Sequence, residues 1–255
     1  MSTEGLDISI LGPAFLAGLL VLATHVPLGL QVLDREIIFI DLAIAQIAGL
    51  GVIAAHVLHL ESRTISVQLI TYGTALSGAL LLYACERRWP EVQEAIIGTS
   101  FIVAACVGIL LLSGNPQAGE HLQDLLVGQI LWVDYAMLVP VAVMYTLILL
   151  LWFSLDGKRH PLLFYLLFAV TVTASVQLVG VYLVFASLII PALTVRNTGR
   201  RAGWYAGVLG VAGYAAGLLL SALLDLPTGA VVVLCLAVLG ILSRVVIRNY
   251  RQPAR

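Results

Sequence analysis

Charge is what this chain has least of. Asp, Glu, Lys and Arg make up 11% of its 255 residues, against about 25% in soluble domains, so it cannot cover its own surface in water. Cysteine is scarce as well. Cys85, Cys106 and Cys235 are scattered through apolar stretches without CxxC or ligand spacing, which excludes a disulfide framework and reads as small buried hydrophobes. The formal net charge of −1 says nothing about nucleic acid, and with no basic aromatic surface and no phosphate-cradling glycine loop, no nucleic-acid partner is expected. No hydrolytic triad, redox motif or intramembrane zinc-protease signature is present, so the chain does not read as an enzyme. The stretch Met1 to Asp7 has Glu4 and Asp7 but no Lys or Arg. The first apolar run is therefore read as a retained span, not a cleaved signal.

What is abundant is hydrocarbon: 61% hydrophobic residues and a mean hydropathy of +1.05. Apolar runs fall at about 8–33, 36–60, 65–84, 95–113, 135–153, 162–195, 202–224 and 228–247. The chain reads as an all-α polytopic membrane protein, a single transmembrane domain over 1–255. The run 162–195 is too long for one crossing. As one helix it would reach roughly 51 Å, against a hydrocarbon core of about 30 Å. Gly180 and Pro191 interrupt it.

Lys and Arg favour short cytoplasmic loops. Arg35, Arg87/Arg88 and Lys158/Arg159 mark the first, third and fifth connections as internal, and the acidic loop 113–134 as external. Arg196, Arg200 and Arg201 should again be internal, so 162–195 must leave and return, turning near Thr173–Gln177. The expectation is about eight to nine transmembrane helices in one bundle, with a broken or doubled segment at 162–195. Trp132, Trp152 and Trp204, near span ends, read as interfacial anchors. The pairs Gly203/Gly207 and Gly213/Gly217 favour close helix packing.

Four blocks carry a resemblance. The first is Pro27-Leu28-Gly29, then Val32-Leu33-Asp34-Arg35 and Phe39-Ile40-Asp41. The second is Gly128-Gln129-Ile130-Leu131. The third is Val179-Gly180 through Ile189-Ile190-Pro191-Ala192, and the fourth Asp225-Leu226-Pro227-Thr228-Gly229-Ala230 with Val231-Val232-Val233-Leu234. In this order they resemble the membrane permeases of bacterial zinc/manganese ABC transporters. The resemblance implies a multi-pass protein of the bacterial inner membrane and a homodimer. It implies a cytoplasmic ABC ATPase and an external metal-binding protein as partners. It also implies transported zinc, or manganese, as cargo, with no tightly bound cofactor.

Two departures matter. In the family, the Phe-x-Gly-Asp stretch continues to a histidine on the same helix, and that pair can line the ion path. Here Gln46 stands at the apparent histidine position, with one residue gained after Asp41. An amide is a poorer transition-metal donor than imidazole. The family also places a short ATPase-docking helix after the span that ends here near Phe153. This chain has only Ser154 to His160 before Pro161, too little for a helix and two linkers. Any coupling must use other cytoplasmic features, of which Arg87-Arg88-Trp89 has charge and an aromatic anchor.

The candidate ion-path residues are Asp41, Gln46 and His25. A carboxylate inside an apolar segment is a functional candidate by default, although Asp41 equally fits a helix cap near the membrane boundary. His25 could face the path, or bond a carbonyl freed by Pro27. His56 and His59 share a helical face with Glu61 nearby, and could form a shallow external metal site or an amphipathic span end. Two functions follow: a divalent-metal permease subunit, or a membrane scaffold that keeps the fold without transport or ATP coupling.

Overall fold

The computed structural model describes residues 8–57, 65–112, 128, 130–196 and 198–251. Among them the chain forms nine α-helices and no strand: α1 Ile8–Asp34, α2 Ile40–Val57, α3 Ile65–Arg88, α4 Gln93–Leu112, α5 Tyr135–Ser154, α6 Pro161–Val179, α7 Val181–Val195, α8 Ala202–Leu224 and α9 Thr228–Arg251. Seven are long and apolar enough to cross a membrane, while the apolar parts of α2 (Ile40–Ala55) and α7 (Val181–Val195) are shorter. The chain is thus a polytopic helical membrane protein.

The run 162–195 is broken, but not where its polar residues suggested. Thr173–Gln177 lies inside α6, and the interruption is Gly180. Gly180 has φ 81° and ψ 162°, a region essentially reserved for glycine. Upstream, two of the hydroxyls are absorbed by the helix itself, Thr171 bonding the Leu167 carbonyl and Ser175 that of Thr171. Pro191, also expected to interrupt, sits inside α7 without ending it.

The helices pack as two compact units. The first comprises Met1–Asp34, Val127–Val143 and Leu178–Arg255. In it α1 lies against α7 and α8, and α9 against α7 and α8. Small residues set the approach: Gly18 faces the Tyr214 ring, Gly213 faces Leu236 and Gly217 faces Val232. The Gly213/Gly217 pair is therefore a packing seam, whereas Gly203 and Gly207 have nothing within 4 Å of where a Cβ would lie. Tyr214 is fully buried, and its hydroxyl meets Ser187 Oγ at 2.8 Å. Gly128, with φ 68°, rests on the backbone of Val179 and Gly180 at the break, so two of the four sequence blocks meet there.

The second unit comprises Arg35–Leu126 and Met144–Gln177. In it α2 packs on α3 and α4. An aromatic group formed by Trp152, Phe164, Tyr165 and Phe168 fills the space at the start of α6. Trp152 is not an interfacial anchor: it is 2% exposed. Gly157 sits against its ring, and the Gly157 N–H bonds back to the Trp152 carbonyl at 2.8 Å. Trp132 and Trp204 are exposed, as anchors would be.

Arg35 gathers the basic end of this unit. It bonds Glu86 at 3.1 Å, lies 4.9 Å from the Phe164 ring centre and reaches the Lys158 carbonyl at 3.4 Å. The Arg35 and Glu86 side chains are 12% and 23% exposed, against 84% and 54% for the pair Arg159–Asp156. Removing one partner of a sheltered pair strands the other charge. Arg35→Ala is therefore expected to destabilise the protein by about 2–3 kcal/mol, and Arg159→Ala by less than about 1 kcal/mol. Thermal unfolding of the two variants in detergent would show the difference; equal midpoints would mean that Arg35 does not brace this end.

Candidate functional site

The connection Arg35–Phe39 delivers the chain into α2 with Asp41 in its first turn. The Asp41 side chain is 1% exposed. An acid in the first turn is cap-like, a position that the free amides and the dipole of a helix start favour. The cap is incomplete, because Oδ1 is buried and has no hydrogen-bond partner. A carboxylate shut into an apolar protein with a free oxygen is costly. That is the strongest functional mark on the candidate residues.

Gln46 is half-buried on the same unbroken helix. Five residues of helix turn its side chain about 140° away from that of Asp41, so the two do not share a face. His25 belongs to the first unit, on α1, and is fully buried. Its Nδ1 lies 2.9 Å from the Val21 carbonyl and 3.1 Å from Thr24 Oγ1. The carbonyl it bonds is that of Val21, not the Ala23 carbonyl that Pro27 leaves free. A carbonyl can only accept, so Nδ1 carries the proton and Nε2 keeps its lone pair. Nε2 is buried without a partner. A ring nitrogen anchored on a backbone carbonyl leaves the other nitrogen oriented as a ligand.

The backbone of His56 lies in the last turn of α2, but its side chain falls outside the described residues, as does all of His59. Among the described residues no group of three or more His, Cys, Asp or Glu could hold a metal.

One side chain beside Asp41 escaped the sequence reading. Glu94, in the first turn of α4, accepts the Phe39 N–H on Oε1 at 3.3 Å. Its Oε2 is buried without a partner, and its charge repels that of Asp41. The only signal in the sequence was an acid at the head of an apolar run, which reads equally as a solvated loop end. The connection 155–160 is a hydrogen-bonded turn, not a helix.

The ABC 3 transport family matches residues 7–158 and 154–247. The chain is 26% identical over 257 residues to the high-affinity zinc uptake system membrane protein ZnuB of Haemophilus influenzae, covering 92% of this chain and 96% of that one. It is 25% identical over 202 residues to a probable metal transport system membrane protein of Chlamydia trachomatis, covering 69% of each. Among solved structures it resembles PsaBC from Streptococcus pneumoniae, determined in complex with Fab, with a TM-score of 0.73, 22% identity and 95% of each chain covered. Four blocks in order, a helical run broken at Gly180 and a family match over nearly the whole length lead to one conclusion: the chain belongs to the ABC 3 transport family, as a multi-pass membrane permease.

Proposed function

We propose that this permease passes a divalent metal ion, zinc first and manganese second, across the bacterial inner membrane. In this reading it works as a homodimer with a separate ABC ATPase and an external metal-binding protein. The observation that carries the reading is Asp41, a carboxylate closed off from water within an apolar helix and left with one unpartnered oxygen. Zinc comes first because the relative aligned over most of the chain is named for zinc uptake. His25, with its free Nε2, and Gln46 are the further path residues, Gln46 the weaker of the two donors.

The ATPase needs a contiguous element to push. In place of the absent docking helix we assign that role to the end of α3. Trp89 is 48% exposed, with the Arg88 guanidinium 5.9 Å from its ring centre. The 3₁₀ turn Pro90–Val92 follows it, and the Arg35–Glu86 pair braces it from behind.

The test is uptake of labelled zinc and manganese in cells stripped of their own importers, with the permease expressed alongside its ATPase. Uptake should appear with the permease and vanish when the ATPase cannot hydrolyse ATP. Replacing Arg87, Arg88 and Trp89 together by Ala should lower both ATPase pull-down and metal-stimulated hydrolysis. Uptake indifferent to ATP hydrolysis, or no ATPase bound to the unmutated protein, would favour the uncoupled scaffold.

A further inference from the structure

We infer that the end of the first unit where α7, α8 and α9 meet is a binding surface for the headgroups of anionic phospholipids. The inference does not depend on what the permease carries.

Three helix ends come together there. α7 runs out into Arg196, and Arg201 leads into α8. α9 returns antiparallel to α8, with Leu236 against Gly213 and Val232 against Gly217. Continued, that register brings Arg244 level with Tyr205. Arg244 is held from the side of α7, where its guanidinium donates to the Leu193 carbonyl at 2.9 Å. Arg196, Arg201 and Arg244 are all exposed. The same segments add Arg200 and three more arginines after position 244.

Negative charge is missing from this end. No Asp or Glu occurs between Gly157 and Leu224, or after Asp225. Asp225 lies in the α8–α9 turn, at the opposite end of the unit. α1 runs antiparallel to α8, with Gly18 at Tyr214 and Leu22 at Gly210, so Asp34 does come to the arginine end. Among the described residues no ion pair joins it to these arginines. The basic side chains of the second unit are placed differently. Arg35 is paired with Glu86 and Arg159 with Asp156, while Arg87 and Arg88 stand among Glu86, Glu91 and Glu94. Unanswered charge of one sign gathered on one face attracts a partner of the other sign.

The neighbours of the arginines decide which partner. Trp204 and Tyr205, at the start of α8, are exposed beside Arg201, as amphipathic rings are at headgroup level. Deeper on α8, Gly207 meets nothing within 4 Å of where a Cβ would lie, and Val208 and Val211 are exposed. Guanidinium groups above a smooth apolar strip match a phosphate above its acyl chain. A soluble protein or a free phosphate would use the charge but not the strip. By the basic-loop rule this end faces the cytoplasm, and the cytoplasmic leaflet carries anionic lipid.

The experiment uses the purified full chain, stripped of lipid in detergent. It is titrated with phosphatidylglycerol or with phosphatidylcholine of the same acyl chains, while native mass spectrometry counts the lipids bound. The unmutated protein should prefer the anionic lipid about fivefold or more. Arg196→Gln combined with Arg201→Gln should reduce that preference to less than about twofold. Arg159→Gln, in an exposed pair of the other unit, should leave it unchanged. Equal binding of the two lipids by the unmutated protein overturns the inference. So does an equal loss in Arg159→Gln, which would make the preference a matter of overall charge. If the double variant does not fold, the two single variants decide: a lowered preference in each supports the surface, and an unchanged preference in both overturns it. Inorganic phosphate should not displace the bound phosphatidylglycerol; displacement would mean a free-anion site and end the lipid assignment. The same spectra report pairing of the chain. If the double variant loses its dimer while neither lipid is preferred by the unmutated protein, this face is a contact between copies and the inference fails.

Discussion

Metal uptake by Asp41→Ala is expected to fall about tenfold or more, while Gln46→Ala loses less than about threefold. Asp41 presents a carboxyl group with one unpartnered oxygen inside the protein, and a dication crossing an apolar layer gains most from a group that can take a full negative charge. Gln46 offers a neutral amide on another side of α2, and part of it already meets solvent. Initial rates of labelled zinc and manganese uptake, normalised to membrane-inserted protein, would separate the two variants. Full transport by Asp41→Ala would take the residue out of the mechanism, and an equal loss in both would mean that α2 as a whole is being perturbed. Asp41→Asn refines the result, since it keeps the shape but cannot take the charge.

The second large effect concerns the break between α6 and α7. Gly180→Ala forces an L-residue into φ 81°, ψ 162°, at an expected cost of about 1–3 kcal/mol. Gly128→Ala should cost more. Besides its φ of 68°, a Cβ there would fall within the Val179 carbonyl and the Gly180 nitrogen, which are backbone atoms that cannot rotate away. Loss of monodisperse protein on size-exclusion, or a lower thermal midpoint, is the readout. Wild-type behaviour of Gly128→Ala would mean that this contact is not part of the folded core. Gly207→Ala is the control, as a Cβ there meets nothing within 4 Å.

Much of this architecture could be read from residues in a row. Apolar runs gave about eight to nine helices, against nine among the described residues, because crossing a membrane imposes length and composition on a local stretch. What escaped depends on partners far along the chain. Arg35 and Glu86 are a sheltered pair only because α3 brings position 86 back to the first connection. Trp152 looked like an interface residue by its place near a span end, yet Gly157 leaves room that buries it. The break of 162–195 was put at polar Thr173–Gln177, but the Ser175 hydroxyl bonds its own helix, which runs on intact to Val179.

The site divides the same way. Asp41 stood out as a charge in an apolar run, and it is indeed buried with an unsatisfied oxygen. Gln46 was read with Asp41 as an ion-path candidate, yet five residues of helix put the two on different faces. Glu94 could not be found that way. Its significance lies in a bond to an amide 55 positions earlier, and nothing in its own neighbourhood marks it off from the exposed Glu91 beside it.

The connection after α5 has one further consequence. A loose loop absorbs displacement, whereas this one is tied at several points: Gly157 to Trp152, Arg159 to Asp156, and the Lys158 carbonyl to Arg35. Arg35 in turn holds Glu86, at the foot of the Arg87–Trp89 stretch. Within this unit three connections from distant parts of the chain are thus cross-braced into one stiff plate. An ion pair and a carbonyl bond through Arg35 link the foot of the Trp89 stretch to the connection just before α6. Shortness, which deprives the 154–160 connection of a lever of its own, is also what makes it a fixed point against which another lever can work.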